Sequence, residues 1–261
     1  MKFAIVFFHL GEIREGSYVD ICVKLAKERA GADVFLLTDH PEVYPGSTSL
    51  SHYWERAAVF DRIYVHKNTC ERHFNLRGIQ RWFAYLEWWR ASKYDSIFCP
   101  DSDVMIFSDL AKELAQWRQY DFTLSMGTAA GQSYWNNRKA LAAYCNYVEN
   151  AYVNPAQAET VFRQYDGKGP GGVCDMTFFE HFSNMKKFAV GETSQIIAGA
   201  TYDHNILMSQ GYEYADGRKA ITWSNRMPYC QKQGENIMFH TLHMSRNKHR
   251  VEEFYLKGSE L

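Results

Sequence analysis

The sequence predicts an α/β fold with a mostly parallel central sheet flanked by helices, and two stretches carry that prediction. The chain opens strand, helix, strand. Lys2 to Phe8 is a short β-rich run, Val19, Cys22, Val23 and Ala26 recur at helical spacing after Ser17, and Asp33 to Leu37 is β-rich again. That order suggests a right-handed βαβ unit. Further on, Ile79, Trp82, Phe83, Leu86 and Trp89 recur at helical intervals shortly before the apolar run Ile97 to Cys99. An aromatic helix face laid on the sheet and a buried strand behind it follow from that pattern.

The remaining elements fall in order. Thr38 to Tyr53, with Pro41, Pro45 and Gly46, reads as a loop, and Ile63 to His66 as a third strand. The aromatic helix is expected over about Gly78 to Lys93. Ser108 or Asp109 caps a helix through about Gln119, since a short side-chain oxygen satisfies free amide donors there. Phe122 to Ser125 is β-rich. Arg138 to Tyr165 is helical in character with a break near Asn154-Pro155, Gly167 to Gly172 is a glycine-rich turn, and Val173 to His181 opens another helix. The last third is less regular. No internal repeat, low-complexity block or linker divides the 261 residues, so one domain over 1–261 is expected.

Composition narrows the function. Lysine and arginine total 29 against 30 acidic residues, so no global field draws the chain to nucleic acid or to an anionic membrane, and a charged ligand must be handled locally. The apolar opening Met1 to Leu10 is interrupted by His9 and followed by Gly11, Glu12 and Arg14. It is too short for a transmembrane span and lacks a cleavage region. The six cysteines show no CxxC pair or zinc-finger spacing, which reads as free thiols in a cytoplasmic protein.

The chemistry gathers at Asp101-Ser102-Asp103, directly after the buried strand. In an extended segment side chains alternate, so both carboxylates can face one small volume. Mg²⁺ and Mn²⁺ prefer oxygen ligands and sit between carboxylates and a substrate's phosphates. In open α/β sheets the ligand crevice lies beyond the carboxyl ends of the strands, where this motif falls. Two aspartates so spaced also occur in solvated turns, but here apolar runs bury both flanks.

The segment from Arg81-Trp82-Phe83 through Ile97-Phe98-Cys99-Pro100-Asp101-Ser102-Asp103-Val104 to Asp109-Leu110 resembles the DxD region of GT-A glycosyltransferases, a Rossmann-like fold. The resemblance implies a metal, Mn²⁺ or Mg²⁺, held by Asp103 and Asp101 against a nucleoside-diphosphate sugar, with a UDP-sugar favoured. It implies a nucleotide-binding half over 1–125 and a half over 126–261 that meets the acceptor and completes the metal site. His243, within Phe239-His240-Thr241-Leu242-His243-Met244-Ser245-Arg246-Asn247-Lys248, matches the family's C-terminal metal-ligating histidine, with Lys248 as a phosphate partner. Arg246 stands where the family has glycine, and Lys248 arrives one position early. His9, Thr38, Arg81 and Ser102 are expected on the nucleotide side. The implied reaction is transfer of a sugar, of hexosyltransferase type, to a hydroxyl acceptor such as a glycan or lipid-linked glycan. Bacterial surface-polysaccharide synthesis is the implied setting, with the protein cytoplasmic or peripheral at the inner face of the membrane.

Two further segments join the site. Gly169-Pro170-Gly171-Gly172-Val173-Cys174-Asp175 puts glycines, which let backbone approach a ligand, before an acid. Asp175 either orients sugar hydroxyls or acts as a base, or it caps the next helix. Asp203, His204 and Asn205, polar between apolar neighbours, form either a site wall with Gly171 and Gly172 or a hydrogen-bonded turn. Two other classes compete. Haloacid-dehalogenase-type phosphatases also place a DxD after a buried strand, although they need Thr or Val where this chain has Met105. A non-catalytic carbohydrate- or nucleotide-binding protein of the same fold is the other.

Overall fold

The computed structural model describes residues 2–163, 165 and 171–259. The first half runs β1 (Phe3–His9), α1 (Tyr18–Arg29), β2 (Asp33–Thr38), β3 (Thr48–Ser49), α2 (Glu55–Asp61), α3 (Arg72–Ala91), β4 (Ser96–Pro100), β5 (Val104–Ile106), α4 (Leu110–Trp117) and β6 (Phe122–Leu124). The second continues with β7 (Gln132–Trp135), α5 (Arg138–Val153), α6 (Pro155–Phe162), α7 (Asp175–Asn184), β8 (Val190–Glu192) and β9 (Ala200–Tyr202). Then come β10 (Tyr214–Ala215), β11 (Arg218–Lys219), β12 (Thr222–Ser224), β13 (Met227–Lys232), β14 (Glu235–His243) and α8 (Val251–Ser259).

The central sheet has the order β3-β2-β1-β4-β7-β6-β8. Its pairs are parallel except those on either side of β7, so the expected mostly parallel α/β architecture is present. β1 shows why the sheet needs helices on both faces. Ala4 and Val6 point into one core with α2, α3, α5 and α7, while Phe3, Ile5 and Phe7 point into another with α1, α4 and α8, as strand alternation dictates. A second sheet, β12-β13-β14-β5 with β9 beside β14, closes the latter core. Because β7 and β8 lie in the central sheet, residues after 125 interleave with those before it.

Local signals account for the helix ends. Ser17 caps α1 by accepting from the Asp20 N–H, and Asp109 caps α4 by accepting from the Lys112 N–H. Asn154 ends α5 and caps α6, with Pro155 in the first turn, where its missing N–H costs nothing.

Two expectations about strands need correction. Ile63 to His66 is not a strand: Val65 is exposed, Tyr64 turns inward, and the His66 ring engages the Tyr64 hydroxyl and the Cys70 carbonyl. The third parallel strand is instead β3, inside the segment read as loop, where only Thr48 and Ser49 pair with β2. β7 gave no apolar signal because Gln132 and Ser133 are buried through internal hydrogen bonds to Asp203, Thr241 and Trp135. Of the expected glycine turn, Gly167 to Pro170 lies outside the described residues.

Candidate active site

β4 delivers the chain to Pro100, and residues 101–103 turn it out of the central sheet into β5 of the second. The Val104 N–H closes this turn on the Asp101 carbonyl at 3.0 Å, and the Asp101 N–H donates to the Gly131 carbonyl at 2.6 Å. The two carboxylates therefore converge through a turn, which corrects the expectation that strand alternation aligns them. β14 runs antiparallel to β5 with His243 opposite Val104. That register places His243 Nε2 3.5 Å from Asp101 Oδ2 and 3.4 Å from Asp103 Oδ1.

One ligand atom from each of Asp101, Asp103 and His243 lies within 4.8 Å of the others. His243 Nδ1 is 2.8 Å from the His204 carbonyl, which ties the ring and aims Nε2 at the aspartates. Its backbone N–H donates to Asp203 Oδ2 at 3.1 Å. Burial pulls the imidazole pKa down, yet the hydrogen bond to Asp103 and the charges of Asp103 and Asp101 overcome it and push His243 up to about 9. Burial works against the Asp103 carboxylate, but His243 and Lys248 hold its pKa below the ordinary value. Two carboxylates and one imidazole, close together and flanked by cations, form a donor set able to hold a metal ion.

Arg81 stands one helix away on α3. Its Nη1 bonds Asp101 Oδ1, and Nη2 donates to Asp175 Oδ2 at 2.8 Å. Burial opposes its charge, but Asp101 and Asp175 raise its pKa further. Asp175 opens α7 while Cys174 occupies the cap position; its Oδ1 accepts from the Met176 N–H at 3.0 Å, and its Oδ2 accepts from Arg81 and, at 3.3 Å, from Trp82 Nε1. Lys248 Nζ is 3.6 Å from Asp103 Oδ2 and sits 4.6 Å above the Tyr18 ring. Burial lowers its pKa less than Asp103 and Tyr18 raise it.

These groups line one open cleft of about 1360 Å³. His9 lies there with its Nδ1 3.3 Å from Ser102 Oγ, its pKa lowered by burial and then by Lys248. Gly171, Gly172, His204 and Asn205 also line the cleft. Gly172 has φ +131°, and a Cβ there would meet the Lys67 carbonyl at 2.5 Å, so close backbone approach demands glycine. The His204 pKa is lowered by burial and then by His243. A second hollow, about 310 Å³, is lined by none of these groups, and the oxygens of its Glu192 already accept from Met126 and Gly127.

Two expected residues stand apart from the cleft wall. Thr38 is fully buried and accepts from the His40 N–H at 3.2 Å. Asp203 is buried beneath the wall, with Oδ1 2.8 Å from Lys219 Nζ. The three N–H groups of Lys219 go to Asn205 O, Met208 O and Gln210 Oε1 at 2.6–2.8 Å, so the contact with Asp203 is one of charge. Asp203 thus holds the His243 backbone from behind the cleft wall.

Other residues at the site went unremarked. Phe74, Arg77 and Gly78 join the expected Arg81 in a cleft-facing stripe on α3, and its signal is helical spacing opposite the aromatic face. A glycine inside a helix marks the same stripe. Gly131 carried no signal beyond its size, yet a Cβ there would fall 2.6 Å from Asp101 Oδ2 and 3.5 Å from His243 Cε1.

No protein-family model matches the sequence, and no curated protein does. Among solved structures, apo mouse xyloside xylosyltransferase 1 overlaps 72% of this chain and 83% of its own, at 8% identity and a TM-score of 0.44. The glycosyltransferase GlyE from Streptococcus pneumoniae TIGR4 overlaps 73% of this chain and 45% of its own, at 13% identity and 0.39. A197 from STIV overlaps 92% and 94%, at 11% identity and 0.37. With TM-scores below 0.5, these likenesses decide nothing about the chemistry of this chain. Among the described residues no helix is long and apolar enough to cross a membrane.

Proposed function

We propose that this chain is a metal-dependent glycosyltransferase of GT-A type, moving a hexose from a nucleoside diphosphate, uridine favoured, to a hydroxyl acceptor. The observation that carries the reading is the convergence of Asp101, Asp103 and His243 at the mouth of β4, with Arg81 and Lys248 alongside. Asp101, Asp103 and His243 would hold a divalent cation, which would supply Lewis acidity toward the diphosphate. As the glycosidic bond breaks, negative charge grows on the diphosphate. Lys248 and Arg81 attract that charge more strongly in the transition state than before it.

Ser102 and His9, hydrogen-bonded to each other at the end of β1, face the nucleotide. Asp175, oriented by Arg81 and Trp82, orients a sugar or acceptor hydroxyl and can receive its proton. Gly171, Gly172, His204 and Asn205 wall the acceptor side, and the cleft volume leaves room for an acceptor, such as a glycan or lipid-linked glycan, beside the donor.

Thermal shift with a panel of nucleotides and nucleotide sugars, with and without Mn²⁺, tests the reading, because a ligand of the folded state raises apparent stability. The expected result is Mn²⁺-dependent stabilisation by one nucleoside diphosphate and release of that diphosphate from its sugar. In Asp103→Ala both are lost while the melt stays cooperative. Manganese-stimulated turnover retained in that variant, or phosphate release from simple phosphomonoesters in place of diphosphate release, would overturn it.

A further inference from the structure

Each aspartate of the site is used from two sides. Asp101 Oδ2 and Asp103 Oδ1 face His243, while the outer oxygens, Asp101 Oδ1 and Asp103 Oδ2, face Arg81 and Lys248 respectively. Arg81 is also left short of partners, since its buried Nε–H finds no acceptor among the described residues. A buried charged donor without a partner is costly, so the guanidinium is held by Asp101 and Asp175 with one of its donors unpaired. Lys248, half exposed, is held by the same charge and by the Tyr18 ring.

Resting on the sugar-transfer reading, we propose that Arg81 and Lys248 are place-holding cations that make metal and diphosphate binding mutually dependent. Without metal, they offset the charge of the two carboxylates from the outside. A divalent cation on the inner oxygens draws on the same carboxylate charge, so each outer cation is held less firmly and becomes available to a diphosphate oxygen. The diphosphate in turn takes Arg81 and Lys248 away from the aspartates and leaves these as stronger ligands. Such coupling is reciprocal by linkage. Arg81 carries more of it, because it is buried and directly bonded to Asp101, whereas Lys248 is 3.6 Å from Asp103.

The test measures Mn²⁺ binding to the full chain by electron paramagnetic resonance, alone and with inorganic pyrophosphate, in wild type, Arg81→Gln and Lys248→Gln. Wild type is expected to show coupling of order tenfold between the two. Arg81→Gln should bind Mn²⁺ alone several-fold more tightly, yet lose pyrophosphate affinity and show coupling several-fold below that of wild type, the remainder being the direct attraction between Mn²⁺ and pyrophosphate. Lys248→Gln should move the same way by less. Wild-type coupling near one, or Mn²⁺ affinity unchanged or weakened in a cooperatively melting Arg81→Gln, overturns the inference while leaving the metal site standing. Should Arg81→Gln fail to fold, undiminished coupling in Lys248→Gln overturns it. Wild type that binds neither Mn²⁺ nor pyrophosphate removes the sugar-transfer reading and this inference together.

Discussion

The two walls of the cleft are held by different physics. The wall carrying Arg81 and Asp175 rests on rings: Trp82 meets Phe179 at 5.0 Å, and Tyr144 stacks on Phe179 at 3.9 Å. The wall carrying His243 rests on buried polar atoms, with Asp203, Lys219, Gln132 and Thr241 all withdrawn from solvent. Apolar packing tolerates approximate fit, since any ring of suitable size contributes area. A buried polar network is exacting, because each atom left unpaired carries its full desolvation cost.

Paired substitutions test that contrast most severely. Phe179→Ala and Lys219→Met should each cost about 3–5 kcal/mol in urea denaturation, the first by opening a cavity and the second by stranding a buried carboxylate. They should differ in rescue. Adding Asp203→Leu to Lys219→Met should restore the part of the stability lost to the stranded carboxylate, but not the part lost at the acceptors Lys219 served, and not Mn²⁺ affinity, because the His243 N–H loses its acceptor. If metal affinity returns with stability, the polar wall is only a scaffold and the contrast fails.

A smaller effect is expected where the walls meet. The Cβ introduced by Gly131→Ala would crowd Asp101 Oδ2, at a cost of about 1–3 kcal/mol. Mn²⁺ affinity should fall roughly tenfold or more as the ligand is pushed aside. Calorimetry of the variant checks both, and an unchanged affinity would mean that Asp101 is not a ligand.

The smallest effect concerns pH. His240, on the polar wall, has its Nδ1 2.8 Å from Ser108 Oγ and its ring 4.9 Å from that of Tyr202. Burial pushes it from 6.5 down to about 4. Glu113, 3.7 Å from Nε2, has its own pKa raised by burial and by Asp109. Between pH 6.5 and 4 the unfolded chain binds the proton that folded His240 refuses, so His240 makes stability fall as pH falls through that window. His240→Gln should flatten this acid slope while leaving the neutral side alone. Equal slopes in denaturation series from pH 7 to 4 would count against it.

The same contrast explains what was legible in advance. The aromatic repeat of α3 and the apolar runs around Asp101 and Asp103 are local patterns: they marked β4 and the body of α3, which starts at Arg72 ahead of the expected Gly78, but they read the acidic turn as an extended segment. His243 was legible only through resemblance, because its place depends on the pairing of β14 with β5 across more than a hundred residues. Lys219 was invisible: a lysine in a loop-rich stretch looks solvated until Asn205, Met208 and Gln210 close around it. Thr38 and Asp203 look like ligand contacts by residue type, yet both are buried behind the surface they seemed to form.

The acidic turn is also where the backbone changes sheets, leaving one hydrogen-bonded network at Pro100 and entering the other at Val104. Asp101 is moored to Gly131 at the start of β7, and His243 arrives on β14 from the far network. An ion seated among them would act as a rivet through a joint, and its departure would be felt as slack between the two layers.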